Sequence, residues 1–238
     1  MRSSARVRVW VAGPGSDWLP ADRLLLGLPR DERERALGLG RDARARFARS
    51  RALRRAALSE ATGTRPEDLR YRLGAHGKPS LPGGPGFSVS DTGEVIAVAV
   101  AADRRALGVD LEEIRPLPTA EIASIARRFF GTETARALSS LMEGRRTAAF
   151  YTAWTRYEAL VKATGEGLVP RRTDPRALLA EGPVQVMGPP GSGSPLPYVL
   201  TSFRPAVSVA GAVCVRGGTL ALETLPVPRT LGGVRLQP

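Results

Sequence analysis

The stretch Trp154-Thr155-Arg156-Tyr157-Glu158-Ala159-Leu160-Val161-Lys162-Ala163-Thr164-Gly165 reads as the end of a helix carrying an acid and a base one turn apart. Apolar side chains at Phe150, Ala153, Trp154, Tyr157, Leu160 and Val161 recur at helical spacing, and Gly165 is the residue that most easily takes the left-handed conformation ending a helix. Glu158 and Lys162 therefore fall on neighbouring turns of one face. Taken alone, such a pair is the solvated i,i+4 salt bridge that many helices carry. Its meaning depends on what other segments bring to the same face.

Upstream, Leu107-Gly108-Val109-Asp110-Leu111-Glu112 has the pattern of a strand, so Asp110 and Glu112 leave one face together. Two adjacent carboxylates repel each other. They fit either a strand end turned to water or a divalent cation such as Mg²⁺, which binds a couple of carboxylates and leaves its other positions to water and phosphate oxygens. If the helix delivers Glu158 to the same place, three oxygen ligands converge. With Lys162 a turn away and Lys78 in a glycine-rich loop, the parts suit phosphate chemistry.

The remaining pattern is mixed. Arg6–Val11 alternates as a half-buried strand and stops at Gly13-Pro14-Gly15. Pro29–Leu58 is helical and very basic, a solvated face whose guanidinium groups also suit phosphate. Gly74–Gly86 is loop, Phe87–Ser90 and Val95–Ala101 pair as a hairpin around Asp91-Thr92-Gly93, and helices follow Pro118. Beyond Gly167, strands are expected at 184–186, 198–203 and 207–215. This order predicts an α+β fold of two similar halves, residues 1–115 and 116–225, with a poorly ordered tail at 226–238.

Thirty-five Lys and Arg against 23 Asp and Glu give a net charge of +12, which implies an anionic partner without naming it. Nucleic acid is disfavoured, because aromatics are only 5% and no recognition motif is present. The single cysteine, Cys214, excludes an internal disulfide and reads as a packed strand thiol. One histidine, His76, cannot build a multi-histidine metal site. Neither a membrane span nor a secretory signal is read, so cytoplasm is the expected location.

Together, Gly77-Lys78-Pro79, Phe87-Ser88-Val89-Ser90, Gly108-Val109-Asp110-Leu111-Glu112, Arg128-Phe129-Phe130 and the Trp154-to-Leu168 pattern resemble the surfactin-synthetase-type (Sfp-type) 4′-phosphopantetheinyl transferases. The resemblance covers roughly Arg30 to Val215. It implies a monomer that binds coenzyme A and Mg²⁺ between its halves and moves the 4′-phosphopantetheine arm onto a serine of an acidic acyl or peptidyl carrier protein. Asp110, Glu112 and Glu158 would be the metal ligands, with Glu158 also the base and Lys162 the stabiliser of the leaving phosphate. Arg46, Lys78, Pro79, Ser90 and Asp91 would line the coenzyme site.

Two positions depart from the family pattern. Asp91 stands where the family has a phosphate-facing histidine, and Tyr157 where it has a lysine. Both changes remove positive charge from the expected phosphate site. They leave open a homologue that binds carrier protein or coenzyme A without transfer, or that acts differently on carrier-bound chains.

Overall fold

The computed structural model describes residues 4–16, 18–74, 76–167, 175–187, 197–217, 219–228, 230–231 and 234–235. The chain runs through β1 (Ser4–Ala12), α1 (Ala21–Leu26), α2 (Arg30–Leu37), α3 (Arg41–Thr62), β2 (Arg72–Leu73), β3 (Pro79–Ser80), β4 (Phe87–Thr92), β5 (Val95–Ala101) and β6 (Leu107–Glu113). It continues with α4 (Thr119–Phe129), α5 (Thr132–Ser139), α6 (Glu143–Thr164), α7 (Pro175–Leu179), β7 (Val184–Val186), β8 (Tyr198–Ala206), β9 (Val209–Arg216), β10 (Thr219–Leu225), β11 (Thr230–Leu231) and β12 (Val234–Arg235). The α+β class expected from the sequence is the class observed.

Two four-stranded sheets organise these elements, ordered β10-β1-β5-β4 and β6-β9-β8-β7. Strand periodicity decides what each sheet faces. Along β5, Val95, Ala97, Ala99 and Ala101 enter the core shared with Val109, Leu111, Val213 and Val215 of the second sheet. The alternate residues Ile96, Val98 and Val100 pack under α3 against Leu53, Ala57 and Leu58. Burial on both faces explains why β5 reads as an unbroken apolar run. On the far side, α6 covers the second sheet through Ala159, Leu160 and Ala163 against Leu200, Ala212 and Cys214.

The two sheets meet along β4 and β6, which are joined by side chains rather than by a backbone ladder. Leu111 N–H donates to Ser90 Oγ at 3.2 Å, and Glu113 N–H donates to Thr92 Oγ1 at 3.1 Å. Each sheet also takes a strand from across the expected division: β6 pairs with β9, and β10 returns to pair parallel with β1. The hairpin of β4 with β5 forms as expected. Helix α6 ends where its sequence says, with Gly165 at φ 76° and its N–H on Val161 O at 2.9 Å.

Some elements differ from the sequence reading. The basic segment is two helices, α2 and α3, broken at Gly38-Leu39-Gly40. Helix α1 and strand β10 were not expected, since one is six residues long and the other alternates weakly. Within the Gly74–Gly86 loop, Pro79–Ser80 pairs briefly with Arg72–Leu73. In the tail, β11 and β12 form a small antiparallel pair, while 229, 232–233 and 236–238 lie outside the described residues, as does Leu168 of the family motif.

Candidate active site at the β4–β6 seam

The site begins with a glycine. A Cβ built on Gly108 would stand 2.0 Å from Ala159 O and 2.6 Å from Ala163 N, so only hydrogen at this position lets the backbone of α6 lie directly on β6. That close approach sets Glu158, beside Ala159, over Asp110 and Glu112, which alternate onto the same face of β6 as Gly108. The ligand atoms of Asp110, Glu112 and Glu158 all lie within 4.8 Å of one another. Strand and helix therefore converge as the sequence predicts.

Lys162 does not pair with Glu158 along the helix. Its Nζ is 2.6 Å from Asp110 Oδ1 and donates to Ser90 Oγ at 3.0 Å, so the intrahelical salt bridge gives way to one between helix and strand. Ser90, expected at the coenzyme, is the hinge of this network: its hydroxyl lies 3.1 Å from Asp110 Oδ1. Trp154 Nε1 donates to Glu112 Oε1 at 3.3 Å. Sequence reasoning assigned Trp154 only to packing, although its place one helical turn before Glu158 was the available signal.

Electrostatics at this cluster are unfavourable to three bare carboxylates. Burial pushes Asp110 above the usual carboxylate range, opposed by the charge and hydrogen bond of Lys162 and by Ser90. Burial also raises Glu112, with the neighbouring Asp110 charge adding to it. Glu158 is pushed up to about 7, chiefly by burial and then by Asp110. Asp110 Oδ2 is buried, and among the described residues no hydrogen-bond donor reaches it. An oxygen-only cluster with an unsatisfied buried carboxylate oxygen suits a hard divalent cation.

Beside the cluster opens a cavity of about 800 Å³, lined by residues 76–81 and 83–86 of the loop, by Phe87, Ser88 and Val89 of β4, by Arg104–Leu107 and by Glu158 and residues 161–165 at the end of α6. Lys78 lines it, but its ammonium is engaged: Nζ donates to Leu107 O at 2.8 Å and to Lys162 O at 2.5 Å. In that position Lys78 ties the loop to the start of β6 and the end of α6. Burial draws its pKa down to about 8, and the nearby Lys162 charge also lowers it. His76 lies against Gly167 at the rim, where a Cβ on the glycine would meet its ring at 3.5 Å.

The arginine-rich segment divides into two groups. Arg54 and Arg55, which the sequence reading places on a solvated, phosphate-ready face, are buried and grip the Glu32 carboxylate at 2.5 and 2.9 Å. Their guanidinium groups also lie 4.1 and 5.1 Å over the Tyr71 ring. Arg46 instead stays exposed and lines a second cavity of about 340 Å³ together with Arg51, Arg54, Pro79 and Asp91.

At Tyr157 the helical spacing holds and the phosphate position that the family pattern suggests does not. It is 0% exposed and packs between Phe129, Phe130 and Trp154, with ring centroids 5.8, 5.5 and 5.8 Å away. The side chain thus points into the core of the second half, where it does not occupy a phosphate position. Tyr157→Lys is accordingly expected to destabilise the protein by about 3 kcal/mol or more, because it buries an ammonium among aromatic rings. Urea denaturation measures this, and a stability equal to the parent's would show that residue 157 reaches the cleft.

Three carboxylates and Lys162 meet beside a cavity whose wall includes Glu158 and Lys162, an arrangement suited to binding a divalent cation next to a phosphate-bearing ligand. The model of the 4′-phosphopantetheinyl transferase superfamily matches residues 106–181, the segment that runs from β6 through α6. Over 179 residues the chain is 30% identical to 4′-phosphopantetheinyl transferase HetI of a Nostoc species, covering 73% of this chain and 72% of that protein. Similarity extends to psf-1 of Bacillus pumilus, 31% identical over 63% of this chain and 62% of the relative. Sfp of Bacillus subtilis is 30% identical over 42% of this chain and 43% of the relative. The last two matches span less than two thirds of those relatives. This chain belongs to the 4′-phosphopantetheinyl transferase family. Among the described residues no helix is long and apolar enough to cross a membrane.

Proposed function

We propose that this protein transfers the 4′-phosphopantetheine group of coenzyme A to a serine of an acyl or peptidyl carrier protein. The observation that carries the reading is the Asp110–Glu112–Glu158 cluster, with Lys162 paired to Asp110, beside the large cavity that Glu158 and Lys162 line. In the reaction the serine oxygen bonds to the phosphorus bearing the pantetheine arm. The bond from that phosphorus to the bridging oxygen breaks, and adenosine 3′,5′-bisphosphate leaves. Glu158, held up at about 7 by burial and the Asp110 charge, takes the serine proton. Lys162, held at the cluster by Asp110 and Ser90, balances charge on the departing phosphate.

Asp110, Glu112 and Glu158 would hold Mg²⁺, which when bound supplies neutralising charge to the pyrophosphate. The cavity walls contributed by the glycine-rich loop would exclude water from the arm. In this reading the co-substrate lies between halves 1–115 and 116–225, which β6 and β10 tie together by crossing the division. A net charge of +12 favours approach of an acidic carrier domain. The protein acts as a monomer in the cytoplasm.

Incubation with coenzyme A, Mg²⁺ and apo carrier proteins is expected to add the phosphopantetheine mass to the carrier, read by intact-protein mass spectrometry. Absence of the increment from every carrier tested, with coenzyme A still bound, would replace this reading with that of a binding homologue without transfer.

A further inference from the structure

Both strand carboxylates of the cluster are held at one oxygen. On Asp110, Oδ1 takes the Lys162 ammonium at 2.6 Å and the Ser90 hydroxyl at 3.1 Å, while Oδ2 is buried with no donor reaching it among the described residues. On Glu112, Oε1 takes the indole N–H of Trp154 at 3.3 Å. Pairing of β6 with β9 fixes the Glu112 backbone opposite Ala210, but it does not choose among the rotamers that could swing this half-buried carboxylate toward solvent. A donor at Oε1 does.

Trp154 is in turn held by its surroundings. Its rings meet Phe129 edge-on at 5.3 Å and lie nearly parallel to Phe150 at 6.2 Å. Phe130 and Tyr157 complete the enclosure at 6.0 and 5.8 Å. An indole packed among four rings cannot turn freely, so the packing aims its N–H, a group that only donates. Helical spacing sets the direction: Trp154 precedes Glu158 by one turn, and the two share the side of α6 that reaches Glu112 and Asp110. A small hard cation such as Mg²⁺ demands oxygens at fixed positions, and donors behind the ligands supply that fixity.

We propose that Trp154 is a positioning residue of the carboxylate cluster: its N–H holds Glu112 toward Asp110 and Glu158, and the aromatic packing of α4 against α6 thereby sets how tightly the three carboxylates take a divalent cation. The proposal rests on the reading of the cluster as a cation site. Trp154 contributes no ligand atom and takes no part in proton transfer.

The test is calorimetric titration of the protein with Mg²⁺ alone, beside urea denaturation without Mg²⁺. Trp154→Phe keeps a ring in the aromatic cluster and removes the donor. It is expected to weaken Mg²⁺ binding by about tenfold or more, the effect of losing a group that orients a metal ligand, while the urea midpoint stays near the parent's. A second readout uses the parent protein. In its ¹H–¹⁵N spectrum the indole N–H signal of Trp154, assigned through its contacts with the Phe129 and Phe150 rings, is expected to move as Mg²⁺ is added. The signal of Trp10, buried under α3, is expected to stay in place. Affinity within about threefold of the parent's in Trp154→Phe, or a Trp154 signal unmoved at saturating Mg²⁺, overturns the proposal and leaves the cation site standing. Where the variant does not fold, the parent's spectrum decides. A parent protein that takes up no Mg²⁺ overturns the cation reading and the proposal with it.

Discussion

Glu158→Gln is expected to lower phosphopantetheine transfer by about 10²–10⁴-fold, the range over which a positioned base contributes, while the folded protein becomes more stable. The two effects have one origin. Burial and the Asp110 charge hold Glu158 up at about 7, so its ionised form is disfavoured. For a carboxyl raised in this way, the favourable contribution to stability is complete below its unfolded value of 4.5 and is lost as pH rises through about 7. Gln keeps the shape and cannot ionise. The melting temperature of the variant should therefore pull ahead of the parent's as pH rises from 5 to about 7.5, in chelator-treated protein. Added Mg²⁺ should raise the parent's melting temperature and leave the variant's largely where it was, because a ligand that binds only the folded state stabilises it. Transfer within a few-fold of the parent's rate would remove Glu158 from the role of base. Equal melting curves across this pH range would show that it is ionised and satisfied without a metal.

The same pair of residues shows what the sequence could convey. Spacing alone placed Asp110 and Glu112 on one face of a strand, Glu158 and Lys162 on one face of a helix, and Gly165 at the helix end, and all three placements hold in the structure. Local periodicity specifies which side chains share a face, and here that suffices to assemble the cluster. It does not specify the partner across the seam. Lys162 was legible as a helix neighbour of Glu158, yet it bonds Asp110, because a buried carboxylate gains more from an ammonium than a half-exposed one does.

Charge misled the sequence reading in α3 for a related reason. Arg54 and Arg55 are indistinguishable in sequence from their exposed neighbours, and only the return of α2 delivers Glu32 to bury them. For Tyr157 the family pattern and the helical spacing point to different surroundings, and its ring packs with the core positions Phe150, Ala153 and Val161 that the spacing selects. Periodicity was the better guide to its direction. Strand β10 escaped notice because its partner β1 lies more than 200 residues away in sequence and its own alternation is shallow. Parallel pairing over such a separation leaves no local trace.

Gly108→Ala is expected to destabilise the protein by about 3 kcal/mol or more, the upper part of the range for overpacking, and to abolish metal-dependent stabilisation. Its Cβ would meet Ala159 O at 2.0 Å and Ala163 N at 2.6 Å, both main-chain atoms of a helix whose own hydrogen bonds resist displacement. Gly211 offers the contrast: there the nearest atoms belong to the Phe203 ring, at 2.8 Å, and a side chain can turn aside. Relief at Gly108 requires α6 to lift from β6. Glu158 rides on that helix and Asp110 on that strand, so the lift separates the carboxylates and removes Lys162 from Asp110. Urea denaturation reads the stability loss, and the Mg²⁺-dependent shift in melting temperature reads the cluster. Ala159→Gly in the Gly108→Ala background should restore neither, since the obstructing atom is the carbonyl oxygen and not the alanine methyl group. Rescue by that second change, or a loss below about 1 kcal/mol in the single variant, would mean that side-chain packing sets the approach of helix to strand. The carboxylate geometry would then not depend on the glycine two residues before Asp110.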